Sequence, residues 1–134
     1  MFSKVSKPLV LLLIISFVVG TTANAVEIQP RWATIAEIAP SLTINSLGRA
    51  EASGNVIAPG VDRITITVAL EQNRNGKWYT VKSWNKTVYN DYGYCIGYSN
   101  VSSGYQYRTK IYASTYVNNT LMESTSVVSR TIYY

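Results

Sequence analysis

The sequence predicts an all-β protein: a single antiparallel β-sandwich of about seven strands, preceded by a signal-peptide helix. Three observations predict the sandwich. Apolar residues alternate with polar ones in short segments, turn residues separate these segments, and no segment after Trp32 carries apolar residues at helical spacing. A composition rich in β-branched residues and Tyr also favours strands.

Residues 1–25 have the layout of a secretory signal peptide. A basic start is followed by an apolar run of eleven positions over residues 9–19, and Ala25 completes an Ala-x-Ala pattern. The run is too short for a transmembrane helix, which needs about 20 residues. We expect cleavage between Ala25 and Val26, which leaves a secreted or cell-surface domain of residues 26–134 without a membrane span. An uncleaved anchor is the alternative.

The composition excludes several classes of chemistry. The chain has no histidine, which removes Ser-His-Asp and Cys-His catalytic centres and all His-based metal sites. Its acidic residues are isolated in sequence, so neither a glycosidase carboxylate pair nor a calcium-binding loop is indicated. We therefore predict no enzyme activity, no catalytic residue, no cofactor and no bound metal.

The basic residues are scattered along the chain. The full chain has a net charge of +5, and loss of Lys4 and Lys7 with the signal peptide leaves +3. Nucleic-acid binding needs a concentrated basic stripe, so we predict no nucleic-acid partner. Attraction to an anionic cell wall is compatible with this charge.

Cys95 is the single cysteine, so the domain cannot hold an internal disulfide although we expect it to be exported. Two roles are open for it. A cysteine in a Tyr-rich strand can serve as a small buried apolar residue, which we favour, or it can form a disulfide with a second molecule.

The first half of the chain contains the clearest strand. A first strand is predicted over residues 31–38 and ends before Pro40. Small residues alternate over 50–56 and would allow close approach of an opposing sheet. Over 63–70 apolar and other residues alternate strictly, which predicts a strand with one buried face. The predicted core positions of this strand and of a later one are Ile64, Ile66, Val68, Leu70 and Ile111.

The second half continues with hairpins. A polar loop over 73–77 precedes a strand over 78–89, whose aromatics fall on both parities. This strand therefore either carries a bulge or exposes aromatics to solvent. Alternation over 105–114 predicts another strand, and residues 117–120 form the last turn before an edge strand over 121–134. Between these hairpins a further strand places four residues on one face: Tyr92, Tyr94, Ile96 and Tyr98.

The segment 101–108, which reads VSSGYQYR, resembles the entry to the sixth strand of fibronectin type III and related immunoglobulin-like domains. The resemblance implies a tyrosine corner, in which a Tyr hydroxyl bonds back to nearby backbone. Tyr107 matches that position best, and Tyr105 is the competing assignment. Together with residues 70–78, the chain also resembles a group of short secreted proteins of Gram-positive bacteria. Both resemblances imply a single immunoglobulin-like sandwich.

The aromatic residues are the remaining candidates for a binding surface. Tyr and Trp combine a flat apolar face with a polar tip, which suits sugar stacking and protein recognition. The predicted alternation places Tyr112 on the exposed face of its strand, and one of the two aromatic sets in the strand over 78–89 should be at least partly exposed. We therefore take Tyr79, Tyr89 and Tyr112 as a candidate binding face. The alternative is that these rings form cross-strand pairs that only cover a sheet.

The sequence thus favours an exported, non-enzymatic module that binds a cell-envelope polymer or a protein partner. Two alternatives belong to other classes. One is a secreted, bacteriocin-like antagonist, which the small size and basic charge permit. The other is a structural component of a surface assembly joined through its edge strands.

Overall fold

A computed structural model describes residues 32–134, and the predicted signal peptide with its cleavage site lies outside the described residues. All regular structure in the described part is β-strand, so the predicted all-β sandwich is confirmed. The strands are β1 (Glu37–Ile44), β2 (Arg49–Ile57), β3 (Arg63–Arg74), β4 (Lys77–Val88), β5 (Tyr92–Asn100), β6 (Gln106–Val117), β7 (Thr120–Val128) and β8 (Ile132–Tyr133).

The strands form two antiparallel sheets. The small sheet has the order β1-β2-β5, and the large sheet has the order β4-β3-β6-β7, with the short β8 also paired to β6. The two sheets pack face to face around one core. Their edge strands β4 and β5 lie next to each other on one side of the sandwich.

The core lies between β3 and β6 of the large sheet and β2 of the small sheet. The predicted core positions on β3 and Ile111 on β6 are all buried, as expected. Opposite them, β2 presents Ala50, Ala52, Gly54 and Val56. A Cβ atom added at Gly54 would overlap the side chain of Ile111, so the sheets approach as closely as glycine allows. The small residues of β2 thus have the role that the sequence predicted.

The first strand begins later than predicted. β1 spans Glu37–Ile44, and Pro40 lies within it opposite Gly54 instead of ending a strand over residues 31–38. Proline lacks the backbone N–H that a central strand must donate, but an edge strand has one side free of ladder bonds. Because β1 is an edge of the small sheet, Pro40 is tolerated there.

Residues 33–35, which precede β1, are held by a carboxylate of β7. The backbone N–H groups of Ala33, Thr34 and Ile35 donate to the carboxylate oxygens of Glu123 on β7, at 2.6, 3.3 and 3.1 Å. Burial of this carboxylate raises its pKa, but the backbone hydrogen bonds from Ala33 and Ile35 outweigh that effect. The pKa of Glu123 is therefore lowered from its ordinary value.

The predicted hairpin turns are present. Asn75 and Gly76 have φ angles of 53° and 84°, and they join β3 to β4 as a two-residue loop with both central residues left-handed. Asn118 and Asn119 connect β6 to β7 in the same way, with φ angles of 48° and 63°. Asn and Gly tolerate this conformation best, which is why both turns could be predicted.

Of the two alternatives predicted for the fourth strand, the bulge is present. The pairing of β3 with β4 shifts between Leu70 and Glu71, and Val81 is the extra residue on β4. Beyond the bulge every side chain of β4 changes face. As a result Trp84 lies opposite buried Val68, whereas Trp78 lies on the outer face, where the Arg108 guanidinium is 4.1 Å from its ring centroid.

The last predicted strand, over residues 121–134, is divided in two. β7 and β8 both pair with β6, and Ser129 lies between them. The Ser129 hydroxyl accepts a hydrogen bond from the Thr109 N–H at 2.8 Å, and the Ser129 N–H donates to the Thr109 carbonyl at 2.8 Å. A side chain therefore replaces one backbone partner of β6, and the ladder is interrupted at this point.

Candidate functional site

Tyr107 anchors the loop between β5 and β6. Its ring is fully buried, its hydroxyl donates to the Ser102 carbonyl at 2.5 Å, and the Gln72 side-chain amide donates to the same hydroxyl at 2.8 Å. Tyr105, the competing assignment, is exposed and contacts the Tyr107 ring edge-on at 6.4 Å between centroids. Tyr107, and not Tyr105, is therefore the buried tyrosine whose hydroxyl bonds back to the backbone of the preceding loop.

The three tyrosines assigned to a binding face from sequence are exposed, but they do not lie together. Tyr112 lies on the outer face of the large sheet, opposite Thr67. Tyr79 lies opposite Gln72, which points to the other face of the same sheet, and Tyr89 follows the last residue of β4. The cause is the bulge at Val81, which turns Tyr79 away from the face that simple alternation assigns to it.

A different set of rings does share one surface. β5 exposes the four residues that alternate along it on the outer face of the small sheet, and we name this surface the tyrosine face: Tyr92, Tyr94, Ile96 and Tyr98. Its three tyrosines are 58%, 45% and 44% exposed, and the isoleucine is half-buried. From first to last residue the face is about 20 Å long, at roughly 3.3 Å per residue.

The inner side of β5 explains why the tyrosines point outward. Its buried positions are Gly93, Cys95 and Gly97. A Cβ atom at Gly97 would overlap the ring of Trp84, and one at Gly93 would lie 2.8 Å from the Ile66 side chain. Only hydrogen atoms fit between β5 and the large sheet at these two positions. Two glycines alternating with a cysteine were the sequence signal for this orientation.

Cys95 lies between those two glycines and is buried as a free thiol. Its Sγ is 3.8 Å from the carbonyl oxygen of Trp84 on the neighbouring edge strand. Burial raises the pKa of the Cys95 thiol, and the positive charge of Lys86 opposes this only in part. The thiol is therefore poorly ionised and packed as a small apolar side chain, which is an unreactive environment.

Polar side chains of β2 flank the tyrosine face. Glu51 lies opposite Tyr98, Ser53 opposite Ile96 and Asn55 opposite Tyr94. The cross-strand neighbours of Tyr94 and Tyr98 are thus hydrogen-bonding groups, the neighbour of Tyr92 is Ile57, and none of the three is another ring. In the described part of the chain the one aromatic pair is formed by Tyr105 and Tyr107, which lie outside the tyrosine face.

Two shallow depressions adjoin the end of the tyrosine face at Tyr98, with volumes of about 420 and 350 Å³. Arg49 and Tyr98 line both, and the Arg49 guanidinium lies 4.6 Å from the centroid of the Tyr98 ring. The larger depression is also lined by Glu51, Thr43, Ile44 and Asn45. The smaller one is also lined by Lys82, Ser99 and Asn100.

The tyrosine face and the two depressions beside it present aromatic rings that can stack on a ligand and polar groups that can form hydrogen bonds. Across residues 32–134 no cluster of three or more Cys, Asp or Glu side chains could hold a metal ion. In the same part of the chain no helix is long and apolar enough to cross a membrane. Comparison with known proteins found neither a matching family model nor a matching curated protein.

Proposed function

We propose that the protein is an exported, non-enzymatic binding module, and that its tyrosine face binds a polymer of the cell envelope. The observation that carries this proposal is the row of three exposed tyrosine rings on one sheet surface. The flat face of each ring suits stacking on sugar rings, and its hydroxyl remains available for hydrogen bonds. Polar side chains on β2 offer further partners for hydroxyl groups.

The fold supports an immunoglobulin-like assignment within this proposal. The small sheet β1-β2-β5 packs on the large sheet β4-β3-β6-β7, and a tyrosine corner stands at the start of β6. This is the arrangement expected of a fibronectin type III-like domain. Because such sandwiches host many functions, we base the function on the tyrosine face and not on the fold.

Cross-strand pairing accounts for only part of this surface. Aromatic residues on an outer sheet face stabilise a protein most when they pair across strands with other aromatic or with β-branched residues, but of the three tyrosines of β5 only Tyr92 has such a partner, Ile57, and the other two lie opposite polar residues of β2. A contiguous exposed apolar surface rimmed by polar groups is typical of an interaction site. Because the tyrosine face lies on the outer side of the small sheet, an extended ligand can lie along β5.

The test is retention of the purified mature protein on insoluble cell-wall polysaccharide. Tyr94→Thr removes the central ring and keeps a β-forming residue, and we expect it to lower the affinity about tenfold, the equivalent of roughly 1.4 kcal/mol. Tyr112→Thr is the matched control, because Tyr112 is 44% exposed and Tyr94 is 45% exposed. The control should bind like the wild type.

Three results would contradict the proposal. Equal retention of both variants would show that the tyrosine face is not the binding surface. Capture of one defined protein with no retention on polysaccharide would favour a protein partner instead. Growth inhibition of related strains by the purified protein, again with no retention, would favour a secreted antagonist.

Export is part of the proposal and has its own test. N-terminal sequencing of protein recovered from the culture medium should begin at Val26, because cleavage follows the small residue Ala25. A chain that starts at Met1 would contradict the cleavable signal peptide. It would leave the argument for the tyrosine face unchanged.

A further inference from the structure

Two basic side chains that are far apart in sequence meet beside the tyrosine face. Arg49 opens β2 and Lys82 lies near the middle of β4, on the other sheet. Both line the smaller depression, together with Tyr98. The basic residues are scattered in the sequence, but the packing of the two sheets brings Arg49 and Lys82 together. We name Arg49, Lys82 and Tyr98 the cationic end of the tyrosine face.

Aromatic rings, and not carboxylates, hold these two cations. The Arg49 guanidinium lies over Tyr98, and the Lys82 ammonium is 5.6 Å from the centroid of the Trp84 ring. Among residues 32–134 the one ion pair joins two other side chains, on the outer face of the large sheet. A ring positions a cation from one side and leaves its N–H donors able to bind a ligand.

The donors of the cationic end match an anionic group. The planar guanidinium of Arg49 can bind two oxygens of a phosphate or carboxylate at once, and Lys82 adds a second positive charge. The nearby carboxylate of Glu51 forms no ion pair with Arg49, and it can accept hydrogen bonds from hydroxyl groups. A ligand that carries both an anionic group and hydroxyls fits this combination.

We infer that the cationic end binds a phosphate or carboxylate group of an anionic polymer whose sugar or polyol units lie along the tyrosine face. This inference rests on the proposed function and specifies the charge of the ligand. Tyr98 belongs to both surfaces, so one chain can contact them together. Glu51 distinguishes such a polymer from DNA, because free hydroxyl groups of the polymer can donate to its carboxylate, whereas a DNA backbone has no hydroxyl group between its ends.

The experiment compares binding of four soluble polymers of similar length by calorimetry at low salt: a poly(glycerol phosphate), a polyuronate, an uncharged glucan and an oligothymidylate. We expect at least one of the first two to bind about tenfold more tightly than the glucan, the equivalent of one charge-assisted hydrogen bond. The tighter of the two identifies phosphate or carboxylate as the preferred group. Its affinity should fall as salt is added.

Variants then assign the effect to the cationic end. Arg49→Gln and Lys82→Gln should each remove most of the preference for the charged polymer over the glucan. Arg63→Gln is the matched control. The Arg63 guanidinium also stacks on a tyrosine, 4.0 Å from the centroid of the Tyr116 ring, but it lies outside the cationic end. This control variant should keep the preference. Each variant is also unfolded by heat. A midpoint near that of the wild type shows that the variant has kept its fold.

Each contrary result is distinct. Equal affinity for charged and uncharged polymers, still sensitive to Tyr94→Thr, would overturn this inference and keep the proposed function. Tightest binding of the oligothymidylate would overturn it in favour of a nucleic-acid ligand. If none of the polymers is bound, both the inference and the proposed function fail.

Discussion

Strands β3 and β5 alternate equally well in sequence, yet they use the alternation in opposite ways. β3 buries its large residues, such as Ile64 and Ile66, against the small sheet. β5 buries Gly93 and Gly97 and presents large tyrosines to solvent. The comparison shows that alternation identifies the two faces of a strand, whereas the space between the sheets decides which face turns inward. Opposite β5 that space is already filled by Trp84.

The largest effect is expected on β3. Ile66→Ala removes a side chain that is 1% exposed in the centre of the core, and it should lower the free energy of unfolding by about 2–5 kcal/mol. Denaturant unfolding at unchanged slope measures this loss. A loss below about 0.5 kcal/mol, the range of surface substitutions, would mean that this face is not buried.

The next effect tests the inner side of β5. Gly97→Ala places a methyl group where the Trp84 ring lies, and such overpacking should cost about 1–3 kcal/mol. Tyr94→Thr on the outer side of the same strand should cost about 1 kcal/mol or less, because it changes a half-exposed ring and keeps β propensity. If Tyr94→Thr proves the more damaging, the tyrosines stabilise β5 and the contrast between the two strands is lost.

A smaller loss is expected at the tyrosine corner. Tyr107→Phe keeps the buried ring but removes the hydroxyl that joins Ser102 to Gln72, so it should cost about 1 kcal/mol, and up to about 3 if the buried amide is left unpaired. Tyr105→Phe should cost less, since that ring is 40% exposed. Denaturant midpoints of the two variants check the order. The reverse order would return the corner to Tyr105.

The smallest effect depends on pH. The pKa of Glu123 is lowered in the folded protein, so the stability that its carboxylate contributes is present at neutral pH and is lost as the pH falls through the folded pKa. Glu123→Gln should therefore be less stable than the wild type at pH 7, and the difference should shrink towards pH 3. Urea midpoints across this range measure it. A difference independent of pH would contradict the role of the charged carboxylate.

Much of the fold could be predicted because it depends on local chemistry. The alternation over residues 63–70 and the Asn-rich turns act within a few residues, so β3, the hairpins and the buried core positions followed from sequence. The start of β1 did not, because Pro40 is tolerated only on an edge strand, and edge position is a property of the whole sheet. The division of the last strand depends on Ser129, whose partner Thr109 lies on β6.

The candidate site was harder to predict because it depends on contacts between residues that are far apart in sequence. Tyr79 is exposed but does not share a face with Tyr112, because a single extra residue, Val81, changes the face of every residue beyond it. The pairing of Arg49 with Lys82 depends on how two sheets are packed, and nothing near either residue in sequence indicates it. The tyrosine face itself had a sequence signal, but that signal was in the glycines between the tyrosines.

The most direct test observes all the tyrosine rings at once. Aromatic proton–carbon NMR spectra of the wild-type protein are recorded while a soluble cell-wall polymer is added, and each ring signal is assigned by Tyr→Phe substitution. The account predicts that the signals of the tyrosine face move together and saturate at one ligand concentration, while those of Tyr79, Tyr89 and Tyr112 stay in place. Saturating shifts confined to Tyr79, Tyr89 or Tyr112, or no shift of any ring, would contradict it.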